Sequence, residues 1–480
     1  MRPFVGRRSR GVAEYPCQHE QGERPGEQGR GRVARAGHAA ILPGLPTPRV
    51  LVVSAEPVAD RMAGPAIRAY ELARALSADV GVTLAAPAPS ALGDERFELL
   101  EAGLADYDAL IAAVRAHDVV VAQLLPPRLL ARVSREPARL VVDLYNPTVV
   151  ETIEATRGRP AASRARLNRI VGRAAAAHLA AADLTLCASE RQRDLWLGVL
   201  AGRELLDPDA LERFAVVPFG VRTTPPRRAD TPVMRGLLVP EDARILLWGG
   251  GIWDWLDAPT VIRATARLPD DVHLVFQGVK RPALLERDEH AAGARAIALA
   301  RQLGLERVHF NHDWVPYEQR GAWLLEADLG VSAHPAHLET RFAYRTRITD
   351  YLWAGLPVVT SAGDVLGDHV ATRGLGRAVP PGDDATFAQA CAELLADPGP
   401  ARVAAVQAAD ELRWDRVVAP LLDFCHSGAK RVHNRHTARA VRNATIGQYA
   451  PLAMETLTTD GLAKLTRKLA TNAWRVLKRA

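Results

Sequence analysis

Cysteine is scarce: Cys17, Cys187, Cys391 and Cys425 are spread over 480 residues with no C-x-x-C pair, which excludes a zinc ribbon and a disulfide framework as the basis of the fold. They read as free thiols, mostly small core residues. Long apolar runs are missing too, none reaching the roughly 18 residues that a membrane-spanning helix needs. The arginine-bearing residues 1–11 lead into no apolar stretch of the kind a secretion signal requires, so a cytosolic protein is expected. No G-x-G-x-x-G fingerprint follows a strand, because Asp254 stands where the third glycine of Gly249-Gly250-Gly251 would be, and this argues against a dehydrogenase. Nothing in the spacing of the acids reads as a metal-binding site. The adjacent Asp383 and Asp384 follow a Pro-Gly turn and read as a helix cap.

Net positive charge is confined to the ends. The chain carries a formal +6, but residues 1–47 hold +4 and residues 426–480 hold +9, which leaves the body between them at −7. The sequence pI of 9.3 therefore belongs to the tails and is no argument for nucleic-acid binding. Residues 1–47 are rich in Gly, Arg, Glu and Pro without apolar period and are expected to be a disordered basic tail.

From Arg49 onward short apolar strands alternate with helical stretches. RVLVVS is followed by the Gly64-Pro65 turn and the helical AIRAYELARAL, and strands are predicted at 81–87, 117–124, 139–146, 183–189 and 214–221. A proline-rich stretch, 223–235, interrupts the pattern. It resumes with strands at 243–251, 272–278, 308–314, 327–334 and 356–363. Such alternation implies α/β architecture with parallel sheets covered on both faces. The expected organisation is a first doubly wound, Rossmann-like domain over 48–222, a linker over 223–235, a second such domain over 236–410, a terminal helical piece over 411–425 and a basic tail over 426–480. The two domains should face a central cleft at the carboxyl ends of their strands.

Two stretches carry candidate chemistry. Gly249, Gly250 and Gly251 close a predicted strand, where glycine lets the backbone approach a phosphate or sugar; the plainer reading is a turn that needs positive φ. Trp253 and Trp255 beside them either cover a sugar face or simply pack. The second stretch, HPAHLETRFAYRTRITDYLWAGLPVV from His334 to Val359, reads as a strand end, a polar loop, a helix start over 339–350 and a glycine stop before the next strand. A helix N-terminus there suits a diphosphate, with Arg345 and Arg347 as added donors and Asp350 placed to accept both hydroxyls of a ribose. Arg347 and Asp350 are three apart, so a surface ion pair is the competing reading. His334 is a sugar or phosphate ligand or a satisfied buried histidine; His337 is a weaker candidate.

The second stretch resembles the family-four retaining glycosyltransferases, which have the GT-B fold of two Rossmann-like domains. Ala354-Gly355-Leu356-Pro357-Val358-Val359 matches the end of that family's pattern, Asp350 stands where its second Glu sits, and Glu339 is the counterpart of the first. The resemblance covers roughly residues 49–424, and its E-T-R-F-x-x-R-T-R-x-x-D-Y-L-W-A-G style is similar to a subgroup of bacterial polysaccharide-assembly transferases. It departs from the family in three ways: ten residues, not seven, separate the acids, the second acid is Asp, and the Arg and Lys that relatives carry after the first strand of the second domain are absent from GGGIWDWLD. What the resemblance implies is retaining transfer of a sugar from a nucleotide-diphosphate donor to a glycan or lipid-linked acceptor, with no metal or other cofactor. Glu339, Arg345, Arg347 and His334 would be the catalytic set. Gly249, Gly250, Gly251, Lys280, Arg281 and Asp350 would hold the donor. Gly64, Asp143, Tyr145 and Asn146 would lie on the acceptor side, where no histidine stands and Gln123 is polar but not a base.

Two other readings compete: a sugar-nucleotide epimerase of the same fold, and a non-catalytic scaffold in polysaccharide assembly. The carboxyl tail adds a separate expectation. Leu462, Leu465, Leu469, Ala473 and Val476 recur at helical spacing among cations, with Trp474 between them, which fits a helix lying on an anionic membrane surface. The protein would then be cytoplasmic and peripheral to the membrane. The alternative is that this stripe packs on the body.

Overall fold

The structure is a computed structural model that describes residues 47–279, 291–428 and 439–443. Residues 1–46, Lys280, Arg281 and the carboxyl tail with its expected helix lie outside them, as does Cys17. The other three cysteines are buried and unpaired. Among the described residues no helix is long and apolar enough to cross a membrane.

The apolar runs form two parallel sheets. The first contains β1 (Arg49–Val53), β2 (Gly81–Ala86), β3 (Glu98–Glu101), β4 (Val119–Ala122), β5 (Arg139–Asp143), β6 (Leu184–Cys187) and β7 (Phe214–Val216), in the order β3-β2-β1-β4-β5-β6-β7. The second contains β8 (Arg244–Trp248), β9 (Val272–Phe276), β10 (Val308–Phe310), β11 (Leu329–Ser332), β12 (Val358–Ser361) and β13 (Gly376–Val379), in the order β10-β9-β8-β11-β12-β13. Val, Leu and Ile make up most of β1, β4, β5, β8 and β9, as expected for parallel strands covered on both faces. Strands β3 and β13 were not expected. ELLE is charged at both ends because β3 is an edge strand, and GRAV is too short and polar to read as one.

Strand order reverses between β1 and β4 in the first sheet and between β8 and β11 in the second. In a doubly wound sheet these reversals open the crevices in which ligands bind. The last helices, Trp414–Val417 and Ala419–His426, return to the first half. Trp414 packs tilted on Phe219 at 5.5 Å between centroids, and Arg139 of β5 donates to the carbonyls of Phe424 and Cys425 at 2.7 and 2.9 Å.

The expected helix over 339–350 is two helices, Leu338–Phe342 and Thr346–Trp353. The break at Ala343-Tyr344-Arg345 is where the chain accommodates its longer spacing between the acids: Tyr344 packs into the core and Arg345 turns back toward Glu339. The second helix ends as the glycine stop predicts, with Gly355 at φ +66°. Asp383 caps helix Asp384–Ala396 by accepting from the Thr386 amide.

Candidate functional site

The crevice of the second half is built on Tyr351. Its ring lies so close to β11 that a Cβ on Gly330 would sit 2.3 Å from it, so only glycine fits there. Its hydroxyl reaches through to the carbonyls of Leu247 and Val331 and accepts from the Gly249 amide at 2.7 Å. That one side chain ties the ends of β8 and β11 to helix Thr346–Trp353.

The glycine loop follows. Gly250 has φ +70°, the turn conformation that the plainer reading required, and its amide donates to Gln277 Oε1 at 3.2 Å. The amides of Gly249 and Gly250 are therefore engaged inside the protein, so these two glycines supply space where phosphate donors were expected. Gly251 offers its carbonyl to Arg347 Nη2 at 3.0 Å. Above Gly251 and Gly278 lies the ring of Trp314, 3.5 and 3.1 Å from where a Cβ on each would be. Trp314 Nε1 donates to the Met62 carbonyl of the first half at 2.9 Å. Trp253 and Trp255 stack on each other at 5.6 Å.

The two arginines of the motif have different fates. Arg345 makes a two-pronged ion pair with Glu339 at 2.7 and 2.6 Å, and its Nε lies 3.4 Å from Asp364. Its charge is thus compensated within the protein, which corrects its expected role as a free phosphate donor. Arg347 lies over the Trp248 ring at 4.5 Å, and its Nη1 is buried without a hydrogen-bond partner. Among the described residues no carboxylate pairs with it. Burial, with a smaller contribution from the nearby charge of Arg345, lowers its pKa to about 10. The expected Arg347–Asp350 pair does not form: Asp350, about one-third exposed at 35%, faces Arg320 Nε at 3.6 Å.

His334 is fully buried, with Nε2 3.0 Å from Asp364 Oδ2. Asp364 caps helix Val365–Thr372 through the Gly367 amide. Burial alone would raise its carboxyl pKa, but the hydrogen bond and charge of His334 and the charge of Arg345 hold it below the usual range. His337 Nδ1 accepts from the Thr340 amide at 3.2 Å and caps the short helix, so its role is local. His334, Asp364, Arg345 and Glu339 form one buried polar chain along the ends of β11 and β12.

On the acceptor side, Asp143 is closed to solvent. It accepts two hydrogen bonds from Arg68, at 2.6 and 2.8 Å, with both side chains at 3% exposure or less. Its expected acceptor role is corrected: it neutralises an arginine that reading by strands had passed over. Tyr145 is buried under Arg68, its hydroxyl 3.5 Å from where a Cβ on Gly64 would be, and Asn146 is half-buried beside it. Gln123 Nε2 donates to the Pro65 carbonyl at 3.3 Å. Further contacts hold the two halves: Gln192 Nε2 to the Phe342 carbonyl at 3.0 Å, Arg191 to Asp368, and Tyr317 Oη to Glu71 at 2.5 Å.

Sequence reading missed Asp364, Trp314, Gln277 and Arg68. Asp364 had a local signal, an aspartate after a strand and a glycine that begins a helix. Gln277 and Trp314 follow the ends of strands β9 and β10, so only position on the sheet edge marks them.

No family model matches the chain. It is 30% identical over 263 residues to the D-inositol 3-phosphate glycosyltransferase of Xylanimonas cellulosilytica, a stretch covering 52% of this chain and 58% of that protein. The chain thus spans somewhat over half the length of this curated relative. In three dimensions it is similar to sucrose-phosphate synthase from Thermosynechococcus elongatus, with TM-score 0.60 and 17% identity over 79% of this chain and 98% of that one. It is also similar to Anabaena HepE, solved with UDP-glucose, with TM-score 0.56 and 14% identity over 80% of this chain and all of that one. The fold is GT-B, and the sequence relative is a glycosyltransferase, as the resemblance read from residues 334–359 implies.

Proposed function

We propose that this chain, a GT-B homologue of family-four glycosyltransferases, transfers a sugar with retention from a nucleotide-diphosphate donor to a glycan or lipid-linked acceptor, without a metal. The observation that carries this reading is Arg347, a guanidinium with a buried, unpartnered nitrogen at the glycine loop where the strand order reverses. A buried cation without a counterion is costly, and a bound diphosphate would supply the missing charge. The same cation, with the N-terminus of helix Thr346–Trp353, would stabilise the diphosphate as it leaves the anomeric carbon. Arg345 and Glu339, locked to each other, would shape the sugar pocket, and Asp350 would hold the ribose. UDP in solved neighbours of the same fold supports a nucleoside diphosphate as the donor class.

Titration calorimetry with UDP, GDP and ADP tests this. One of them should bind, and Arg347→Met should weaken it by about 2 to 5 kcal/mol, as for loss of a buried charge partner. Turnover should survive EDTA. Absence of binding by all three would favour the scaffold reading, and sugar-nucleotide epimerisation without an acceptor would favour the epimerase.

A further inference from the structure

Strand β9 runs directly into Gln277, whose place is fixed by three hydrogen bonds. Its backbone amide donates to the Trp248 carbonyl at the end of β8 at 3.0 Å, and its carbonyl accepts from Asn311 Nδ2, just past β10, at 2.9 Å. Its side-chain Oε1 accepts from the Gly250 amide at 3.2 Å. A backbone N–H only donates, so the side-chain oxygen has to face Gly250 and Nε2 is turned away from that amide. The residue is 9% exposed, and its buried Nε2 finds no acceptor among the described residues. Arg347 meets the same loop in the same manner: Nη2 donates to the Gly251 carbonyl at 3.0 Å, while Nη1 is buried without a partner. Gly250 and Gly251 are neighbours in the chain, so two unused donors, one from the end of β9 and one from helix Thr346–Trp353, flank a single turn. Buried donors left without an acceptor are costly, and packing gives no account of these two.

We propose that Gln277 is a second ligand of the donor diphosphate, its Nε2 donating to one phosphate oxygen while Arg347 Nη1 donates to another. This rests on the glycosyltransferase reading above. Only an acceptor satisfies either nitrogen, and a diphosphate presents several acceptor oxygens within one short span. The resemblance to family-four enzymes implies an Arg and a Lys after β8, and GGGIWDWLD contains neither. Gln277 answers that departure: the site joins one cation to one neutral donor, which arrives from the neighbouring strand instead of from the loop itself. The loop is the frame for that donor. Gly250 directs its amide at Gln277 Oε1, with a φ of +70° that glycine adopts without strain. Because Gln277 is oriented before any ligand arrives, its N–H needs no reorganisation as charge builds on the departing phosphate.

The test titrates the full chain and its Gln277→Glu and Gln277→Met variants with UDP, GDP and ADP, from about pH 8 down to about pH 5, where a carboxylate facing a phosphate takes up a proton. Glutamate keeps the shape and an oxygen for the Gly250 amide but turns the donor into an acceptor. At pH 8 Gln277→Glu should bind the preferred nucleotide about 100-fold more weakly than the native protein, since like charges then face each other. That gap should narrow at least about tenfold toward pH 5, because a protonated carboxyl donates again. Gln277→Met should lose about tenfold at every pH. A gap for Gln277→Glu that does not change with pH would make Gln277 a support of the loop only and overturn the assignment. Should the glutamate variant fail to fold, unchanged affinity in Gln277→Met would overturn it equally, and in both cases Arg347 and the transferase reading stand. If the native protein binds none of the three nucleotides, the transferase reading falls and this proposal with it.

Discussion

Both halves place an arginine where the strand order reverses, and the two differ in what surrounds them. Arg68, fully buried beside β1, gives two bonds to Asp143 and two to the carbonyls of Val217 and Pro218, with Tyr145 and Trp414 against its plane. Arg347 beside β8 has one carbonyl, one ring and a sealed nitrogen with no partner. The first is a completed ion pair and belongs to the core. The second lacks its anion. A doubly wound sheet offers the crevice in each half, but only incomplete electrostatics mark one of them for an anionic ligand.

The comparison can be broken most severely at Arg68. Asp143→Ala strands that guanidinium in the core and should cost about 3 to 5 kcal/mol of stability by denaturant unfolding. Removing Arg347 should keep or raise stability, because an uncompensated buried charge is removed and the Gly251 carbonyl still accepts from Trp248 Nε1. A large loss for Arg347→Met would make it structural as well. Next in size, Gly330→Ala forces a methyl into the Tyr351 ring and should destabilise by about 1 to 3 kcal/mol, with weaker nucleotide binding because Tyr351 sets the glycine loop. Asp350→Ala should lower nucleotide affinity by about 1.5 to 3 kcal/mol if it holds the ribose, and leave it unchanged if it serves only Arg320.

A pH dependence sharpens the comparison further. Glu151 has its pKa raised from 4.5 to about 7 by burial, so the folded state holds a proton that the unfolded chain releases. Stability from this group is full below pH 4.5 and declines as pH rises toward 7. Melting temperatures of Glu151→Gln and the native protein should therefore converge near pH 4.5 and separate by pH 8, with the variant higher.

Alternating apolar runs, the proline-rich interruption and the Gly355 stop made most of the architecture legible, because those signals are local and depend on burial of whole strand faces. Edge strands β3 and β13 escaped because an edge needs neither length nor apolarity. The site was legible as a neighbourhood: Gly249–251, His334, Glu339, Arg345 and Arg347 do converge at the ends of β8, β11 and β12.

By itself, then, the sequence determined two parallel α/β halves and the stretch of chain lining the second crevice, since periodicity and turn chemistry act within about ten residues of chain. Only the tertiary structure decided which charges remain available. Arg345 and Arg347 are two residues apart and alike in sequence. One meets Glu339 and Asp364 while the other meets a glycine carbonyl and an indole, because the chain break at 343–345 turns them toward different neighbours. Pairing of charges depends on distances of a few ångströms between distant segments, which no local pattern records.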